Sequence, residues 1–429
     1  MSKIAIVGGG IGGMAAAYEL AKRGQQITLF ETDGQLGGMA RGFKKKGWQW
    51  SVEEFYHHWF QSDRAFLGLA KELGVDHKVQ FHRPKTVVYH HGDFYPLDSP
   101  VAALLFPGFS LLDKMRFGVV TAYLRYLSNW PRFEKYKAVD WIKKYYGLRL
   151  YETLYEPLLV GKFDQYYDQV NMAWFWARFK SRTSKLGTYV GGFQAFIDEF
   201  AQILKKFNVE IKLHTSVHSI RTKADGRLTL TTKDDFDFDQ VLVTTSPYAL
   251  AKMAPELEET YRQKLLSLKS IGAVNLILSL KYQLSINGYY WFNLPKRAGF
   301  PFLALVEHTN FVSPAYFNNE HIVYCGDYLE PTHEYFQLSK EELIERFIPS
   351  LSRINPQFTP EWVQDSWLFR LTYAQPIPTV NHSVSNLPEI RTPMKNLFFA
   401  SMSQVYPWDR GTNYAIDLGR QAAKLMGDQ

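Results

Sequence analysis

Lys3-Ile4-Ala5-Ile6-Val7-Gly8-Gly9-Gly10-Ile11-Gly12-Gly13 is the stretch that decides the fold. Its first five residues form a short apolar run of the kind found in buried parallel strands, and the glycines that stop it open a helix from Gly12 to Arg23, ending near Gly24. Gly8, Gly10 and Gly13 fall in the spacing G-x-G-x-x-G. The first glycine permits a tight turn, the second leaves room for a diphosphate against the main chain, and the third lets helix and strand touch. The helix N-terminus, at Ile11, Gly12 and Gly13, then presents free N–H groups and a positive dipole end to that diphosphate. A second strand, Gln26 to Phe30, closes on Glu31, whose carboxylate is placed to accept hydrogen bonds from ribose hydroxyls. This is a βαβ unit for a dinucleotide, and NAD and FAD both satisfy it.

Directly after the acid comes a second glycine loop, Gly34-Gln35-Leu36-Gly37-Gly38-Met39-Ala40-Arg41. With it the chain resembles the extended FAD signature of the amine oxidase superfamily, which includes protoporphyrinogen oxidases, phytoene-type desaturases and, more distantly, UDP-galactopyranose mutases. The resemblance implies FAD as cofactor, with Gly37, Gly38, Met39 and Arg41 running beside its diphosphate and ribityl chain. It extends along most of the chain. Gly191-Gly192-Phe193 and the strand segments after Val209 resemble the part of the family fold whose valine main chain meets adenine, and Val217 matches that valine. Gln240 to Pro247 and Glu156 to Phe163 resemble two further family stretches, and Phe399 to Thr412 resembles the last flavin motif, with Ser401 where glycine is usual. Gly411 and Thr412 would then begin a helix aimed at the flavin. Cys325 lies far from that motif in sequence, so the FAD is expected to be held non-covalently.

The order of segments implies an α/β architecture. A Rossmann-like FAD-binding domain of discontinuous segments, 1–74, 185–263 and 377–429, carries an inserted α+β substrate-binding domain made of 75–184 and 264–376. Asp225-Gly226 marks a hairpin turn, Val209 to Leu213 and Val217 to Thr222 read as strands, and a helix is expected near Lys340 to Phe347.

No metal-ligand spacing, nucleophile elbow or reactive-cysteine motif is present, so the flavin is the one visible catalyst. Glu53-Glu54-Phe55-Tyr56-His57-His58-Trp59-Phe60 falls where chains of this superfamily pass the flavin, and His58-Trp59-Phe60 resembles the H-I-F string of the mutases. Tyr56, His57 and His58 are therefore candidates for binding substrate or relaying a proton, against a plain reading as core aromatics and histidines. Arg410, in Tyr406-Pro407-Trp408-Asp409-Arg410, is a candidate for an anionic group, unless it pairs locally with Asp409. Glu156 and Lys162 are weaker candidates, and Trp174-Phe175-Trp176 reads as core rather than cage. The activity expected is an FAD-dependent oxidoreductase whose flavin N5 accepts a hydride from a sizeable, largely apolar small molecule. The alternative is a mutase-like isomerase that uses reduced flavin without net redox change.

Bulk properties narrow the partners. The net charge of +7 is scattered rather than striped, which excludes a nucleic-acid reader, and Lys44 to Lys46 reads as a solvated hairpin tip. A single cysteine suits a reducing compartment, and the glycine loop at Gly8 leaves no room before it for a cleaved leader, so a cytoplasmic protein is expected. Val101 to Phe109 is apolar but too short to span a bilayer, and Lys114, Arg116, Arg125 and Arg132 follow. Residues 101–132 thus suit a peripheral anchor at the inner face of a membrane, and equally an internal helix pair. Oligomeric state leaves no trace in the sequence.

Overall fold

The computed structural model describes residues 1–427. Strand Lys3–Val7 lies at the centre of a five-stranded parallel sheet in the order Glu210–Lys212, Gln26–Phe30, Lys3–Val7, Gln240–Val243, Leu397–Phe399. Its strands come from three widely separated stretches, held in register by pairs such as Ile4 with Ile27 and Gln240. Alternation decides which side each residue covers. Ile4 and Ile6 face a layer of three helices, Ile11–Lys22, Phe193–Lys206 and Thr412–Gly427. Ala5 and Val7 face the antiparallel sheet Ser219–Thr222, Leu228–Thr231, Asp235–Phe238 and the helix Pro247–Met253. The N-terminal and C-terminal helices touch main chain to main chain: a Cβ on Gly419 would stand 2.2 Å from the Gly12 carbonyl.

A second sheet of seven strands stands apart, ordered Val363–Pro376, Ser270–Leu280, His321–Leu329, Ala304–Glu307, Tyr289–Asn293, Lys85–His90, Asp93–Pro96. Helix Lys340–Phe347, started by the Ser339/Glu342 capping box, packs on it through Leu343 and Phe347. A helical block completes the molecule: Leu111–Ala122, Ala138–Tyr145, Glu156–Phe163 and Met172–Ser181 enclose Trp141, Tyr146, Tyr155, Phe163 and Phe175. A small sheet of Trp59–Phe60, Leu186–Tyr189 and Val79–His82 ties the first segment to the chain beyond residue 184.

Two local expectations are corrected. The strand expected from Val217 begins at Ser219 instead, because Thr215 N–H is drawn to the Glu31 carbonyl (2.8 Å) and His214 N–H to that of Asp33 (3.0 Å), bending the chain across the sheet edge. The Lys44–Lys46 turn is not simply solvated. Lys45 Nζ reaches Glu320 at 2.8 Å and also Asp365, pinning the turn to the second sheet, while Lys44 binds the Gln49 carbonyl at 2.8 Å.

Candidate active site

The two glycine loops meet face to face. Gly37 N–H donates to the Gly9 carbonyl at 2.9 Å, and Gly10 bridges Gly37 in parallel fashion. A Cβ added to Gly13 would lie 2.1 Å from the Gly8 carbonyl, so that glycine is required by the turn itself. Gly10 differs. Its conformation, φ −69° and ψ 169°, suits any residue, and a Cβ there would meet nothing nearer than the Gly38 Cα at 3.9 Å. The space in front of Gly10 is left for something other than protein. Glu31 stands beside it, accepting from Gly9 N–H at 2.8 Å and Asp33 N–H at 2.9 Å. Val217, buried close to the end of the same sheet, has no main-chain hydrogen-bond partner among the described residues. Together, a cradle that a methyl would fill, the N–H groups of Gly12 and Gly13 with no hydrogen-bond partner among the described residues, an acid at the second strand and free valine main chain fit an adenine dinucleotide.

Two of the expected cofactor contacts also serve the protein. Gly12 packs against Ala415 and Gly419 of the last helix. Arg41 binds Glu54 (Nε to Oε1, 2.8 Å) and Asp33, which orders the second glycine loop. At the other end of the site, Gly411 accepts at its carbonyl from Tyr414 and Ala415, Thr412 Oγ1 accepts from Trp59 Nε1 at 2.7 Å, and the last helix starts there.

Between these ends lies a cavity. Met39, Tyr56 and His57 line it from the first segment, Asp327 and Tyr328 from the second sheet, and Arg410 from the approach to the last helix. Three of the four catalytic candidates therefore converge, although Tyr56 and Arg410 are separated by more than three-quarters of the chain. Burial, reinforced by the Arg410 cation, lowers the His57 pKa to about 4, so the ring is neutral near pH 7. Its Nδ1 lies 2.5 Å from the Phe55 carbonyl, which makes Nδ1 the protonated nitrogen and leaves Nε2 a lone pair. His58 is not a wall of this cavity. It lies edge-on to Phe60 and Trp291, and burial lowers its pKa to about 3. Trp59 is sandwiched between Phe66 at 3.6 Å and Phe193 at 4.0 Å. Packing accounts for Trp59 in the mutase-like string His58-Trp59-Phe60, whereas His58 Nδ1 is buried without a hydrogen-bond partner among the described residues.

Arg410 does not pair with Asp409. Its Nε donates to Gln375 at 3.0 Å and an Nη donates to the Tyr328 hydroxyl. Burial raises the Tyr328 phenol, but Arg410 and Lys162 more than offset this and leave it below its ordinary value. Asp327 moves the other way, up to about 7, because burial outweighs Lys296 at 3.6 Å. Asp409 turns instead to Arg178 (2.9 Å), Arg182 (3.4 Å) and Lys162 (3.5 Å), and accepts from Trp174 Nε1 at 3.3 Å. Burial alone would raise its pKa; Lys162, Arg178 and Arg182 hold it well below the usual carboxylate range. Lys162 belongs to this group, whereas Glu156 is half-buried and faces Arg297 at 3.5 Å instead. Phe175 and Trp176 are core, and Trp174 borders a second cavity that shares Arg410 as a wall.

Sequence reasoning did not find Tyr328, Asp327, Arg178 or Arg182. The first two sit in a strand buried on both faces, where no alternation marks a cavity side. Arg178 and Lys180 occupy the last turn of a helix, where basic residues are ordinary.

The fold and the cradle define a flavin-binding oxidoreductase scaffold. The chain belongs to the flavin containing amine oxidoreductase family, whose pattern it matches over residues 11–426. Protoporphyrinogen oxidase 2 of Arabidopsis thaliana is 37% identical over 79 residues, 18% of this chain and 15% of that protein. The sequence similarity to that relative therefore covers only a small part of its length. A candidate protoporphyrinogen oxidase from Exiguobacterium sp. 255-15 superposes with a TM-score of 0.80 at 19% identity, over 100% of this chain and 99% of the other. Reduced UDP-galactopyranose mutase superposes with a TM-score of 0.77 at 14% identity, over 100% and 96%. At these identities the two structures establish the fold alone.

Proposed function

We propose that this protein is an FAD-dependent oxidoreductase that takes a hydride from a sizeable, largely apolar small molecule at a membrane surface, with the FAD held non-covalently. The observation that carries the reading is the cavity where Met39, Tyr56, His57, Tyr328 and Arg410 meet, between the glycine cradle and the start of the last helix. Gly8, Gly10, Ile11, Gly13, Glu31, Gly37, Gly38 and Val217 would hold the cofactor, which when bound supplies hydride acceptance. Neutral His57 offers Nε2 to a substrate proton, and Arg410 with Tyr328 orients a polar group of the substrate. Cys325 is buried in the second sheet and burial raises its thiol pKa, which suits a structural rather than a cofactor-linking role.

The membrane part rests on surface chemistry. Val101, Leu105, Leu111, Met115, Val119 and Leu127 are all at least half exposed, at 56% to 77%. Leu111, Met115 and Val119 follow each other at helical spacing on one face, and Arg116 and Arg132 are exposed nearby to meet anionic headgroups. No described helix is long and apolar enough to cross a membrane, so the contact is interfacial.

The test is the visible spectrum of the purified protein, then anaerobic bleaching with amines, porphyrinogens and polyprenoids. A yellow protein bleached by one of these classes fits the proposal. Activity that needs prior reduction and consumes no electron acceptor would replace it with isomerase chemistry.

A further inference from the structure

The group around Asp409 is out of charge balance. Lys162, Arg178 and Arg182 all approach one carboxylate, and among the described residues none of the three forms an ion pair with any other acid. Arg410 adds a fourth cation, and it has no carboxylate partner at all among the described residues. Lys162 and Arg178 are largely shut from solvent, with side chains 14% and 12% exposed. Uncompensated charge in such a place is costly unless an opposite charge joins it. The guanidiniums also carry more donors than the protein uses, since among the described residues Arg178 and Arg182 each make one side-chain hydrogen bond, both to Asp409. Arg182, at 43% exposure, leaves the group open on one side.

The surroundings say what kind of molecule brings the anion. Tyr328 ties the group to the cavity, with the Lys162 ammonium 4.9 Å and the Arg410 guanidinium 5.3 Å from its ring. In the other direction, Arg125 donates to the carbonyls of Phe179 (2.9 Å) and Arg182 (3.2 Å), and the exposed Tyr126 and Leu127 follow it directly. The cations thus lie between the cavity and the apolar surface. The FAD diphosphate does not supply the missing charge if it occupies the glycine cradle, where helix-start N–H groups provide for it.

We infer that Lys162, Arg178 and Arg182 form an oxyanion subsite for the substrate, which is therefore an apolar molecule carrying an acidic group, a carboxylate or a phosphate. This rests on the oxidoreductase reading above and adds the polar end of the substrate to it. Asp409 positions the cations and limits their strength.

The test is calorimetric titration of the yellow, FAD-loaded protein with inorganic phosphate and, separately, acetate, at constant ionic strength. Saturable binding is expected for at least one of them, and the preferred anion names the acidic group. Arg182→Gln and Arg178→Gln are expected to weaken it about tenfold each, one lost charge-assisted hydrogen bond apiece. Asp409→Asn, which removes the competing carboxylate, is expected to tighten it, whereas a cluster serving only stability would show lower thermal stability and no gain in affinity. Absence of saturable binding, or equal affinity in wild type and the arginine variants, overturns the subsite. So does loss of FAD from the arginine variants with anion affinity unchanged, which assigns the cations to the cofactor. A colourless wild-type protein is a separate result that refutes the flavoenzyme reading.

Discussion

Replacing Gly10 by alanine separates what the glycine loop does for the fold from what it does for the cofactor. The methyl has no protein atom within 3.9 Å and the backbone is already in a conformation open to alanine. Gly→Ala at such a position stabilises by about 0.4–1 kcal/mol through the unfolded chain. In a chain of 429 residues that raises the apo melting temperature by only about 0.5–1 °C. In the function proposed above, the same methyl would stand where the diphosphate approaches the helix-start N–H groups. Losing one hydrogen bond to a charged oxygen costs about 2 kcal/mol, which is about 30-fold in FAD affinity. Gly13→Ala is the control: its Cβ would sit 2.1 Å from the Gly8 carbonyl, so the turn must open and the apo protein must melt earlier. The assay is differential scanning fluorimetry of apo protein with and without added FAD, alongside flavin absorbance per chain. Gly10→Ala protein that binds FAD as wild type does would refute the placement of the diphosphate. Destabilisation of its apo form to the level of Gly13→Ala would refute the claim that the space is reserved for a ligand.

His57→Ala should lower turnover with FAD content unchanged, whereas His58→Ala should keep turnover and lose about 1–3 kcal/mol of stability in a denaturant titration; wild-type rates in both variants would remove His57 from the mechanism. Burial alone lowers His308 to about 4, so between pH 4 and 6.5 the unfolded chain binds the extra proton. The stability tied to this group is therefore complete above pH 6.5 and falls as pH drops toward 4, by up to about 3 kcal/mol. His308→Phe, in a pocket already lined by Phe311, Phe317 and Tyr324, should flatten that slope in urea melts across the window. Leu105→Glu combined with Leu111→Glu and Val119→Glu should abolish flotation with liposomes containing anionic lipid while leaving the melting temperature within a few degrees, since all three side chains are more than two-thirds exposed.

The parts of the molecule that could be read from sequence share one property: the reason for each residue lies close to it in the chain. Gly13 answers to Gly8, five positions away, and Glu31 answers to Gly9 across one βαβ turn. The helices Lys340–Phe347 and Thr412–Gly427 are likewise legible, the second from the glycine before it, and the structure adds a Ser339/Glu342 capping box at the start of the first. Val217 matches the family pattern, but its place before the strand is not legible locally, because the pull of Glu31 and Asp33 on the preceding residues is a contact between segments.

The candidate site shows the opposite case. Asp409 and Arg410 are neighbours of opposite charge, and adjacency invites a local pair. Yet one reaches Arg178 and the other Gln375 and Tyr328, partners 231, 35 and 82 residues away. Nothing local marks Arg178, because a basic residue in the last turn of a helix already has a sufficient explanation in the helix dipole. Tyr328 is similarly hidden, since every residue from Ile322 to Leu329 is buried and the cavity-facing ones look like the rest. Local patterns therefore pick out the turns and helix starts that would grip a cofactor in the proposed reading. The chemistry proposed to select a substrate lies in charge sums over side chains that only the fold brings together. At Asp409 that sum is positive, and the excess is visible only once Lys162, Arg178 and Arg182 are counted around the same carboxylate.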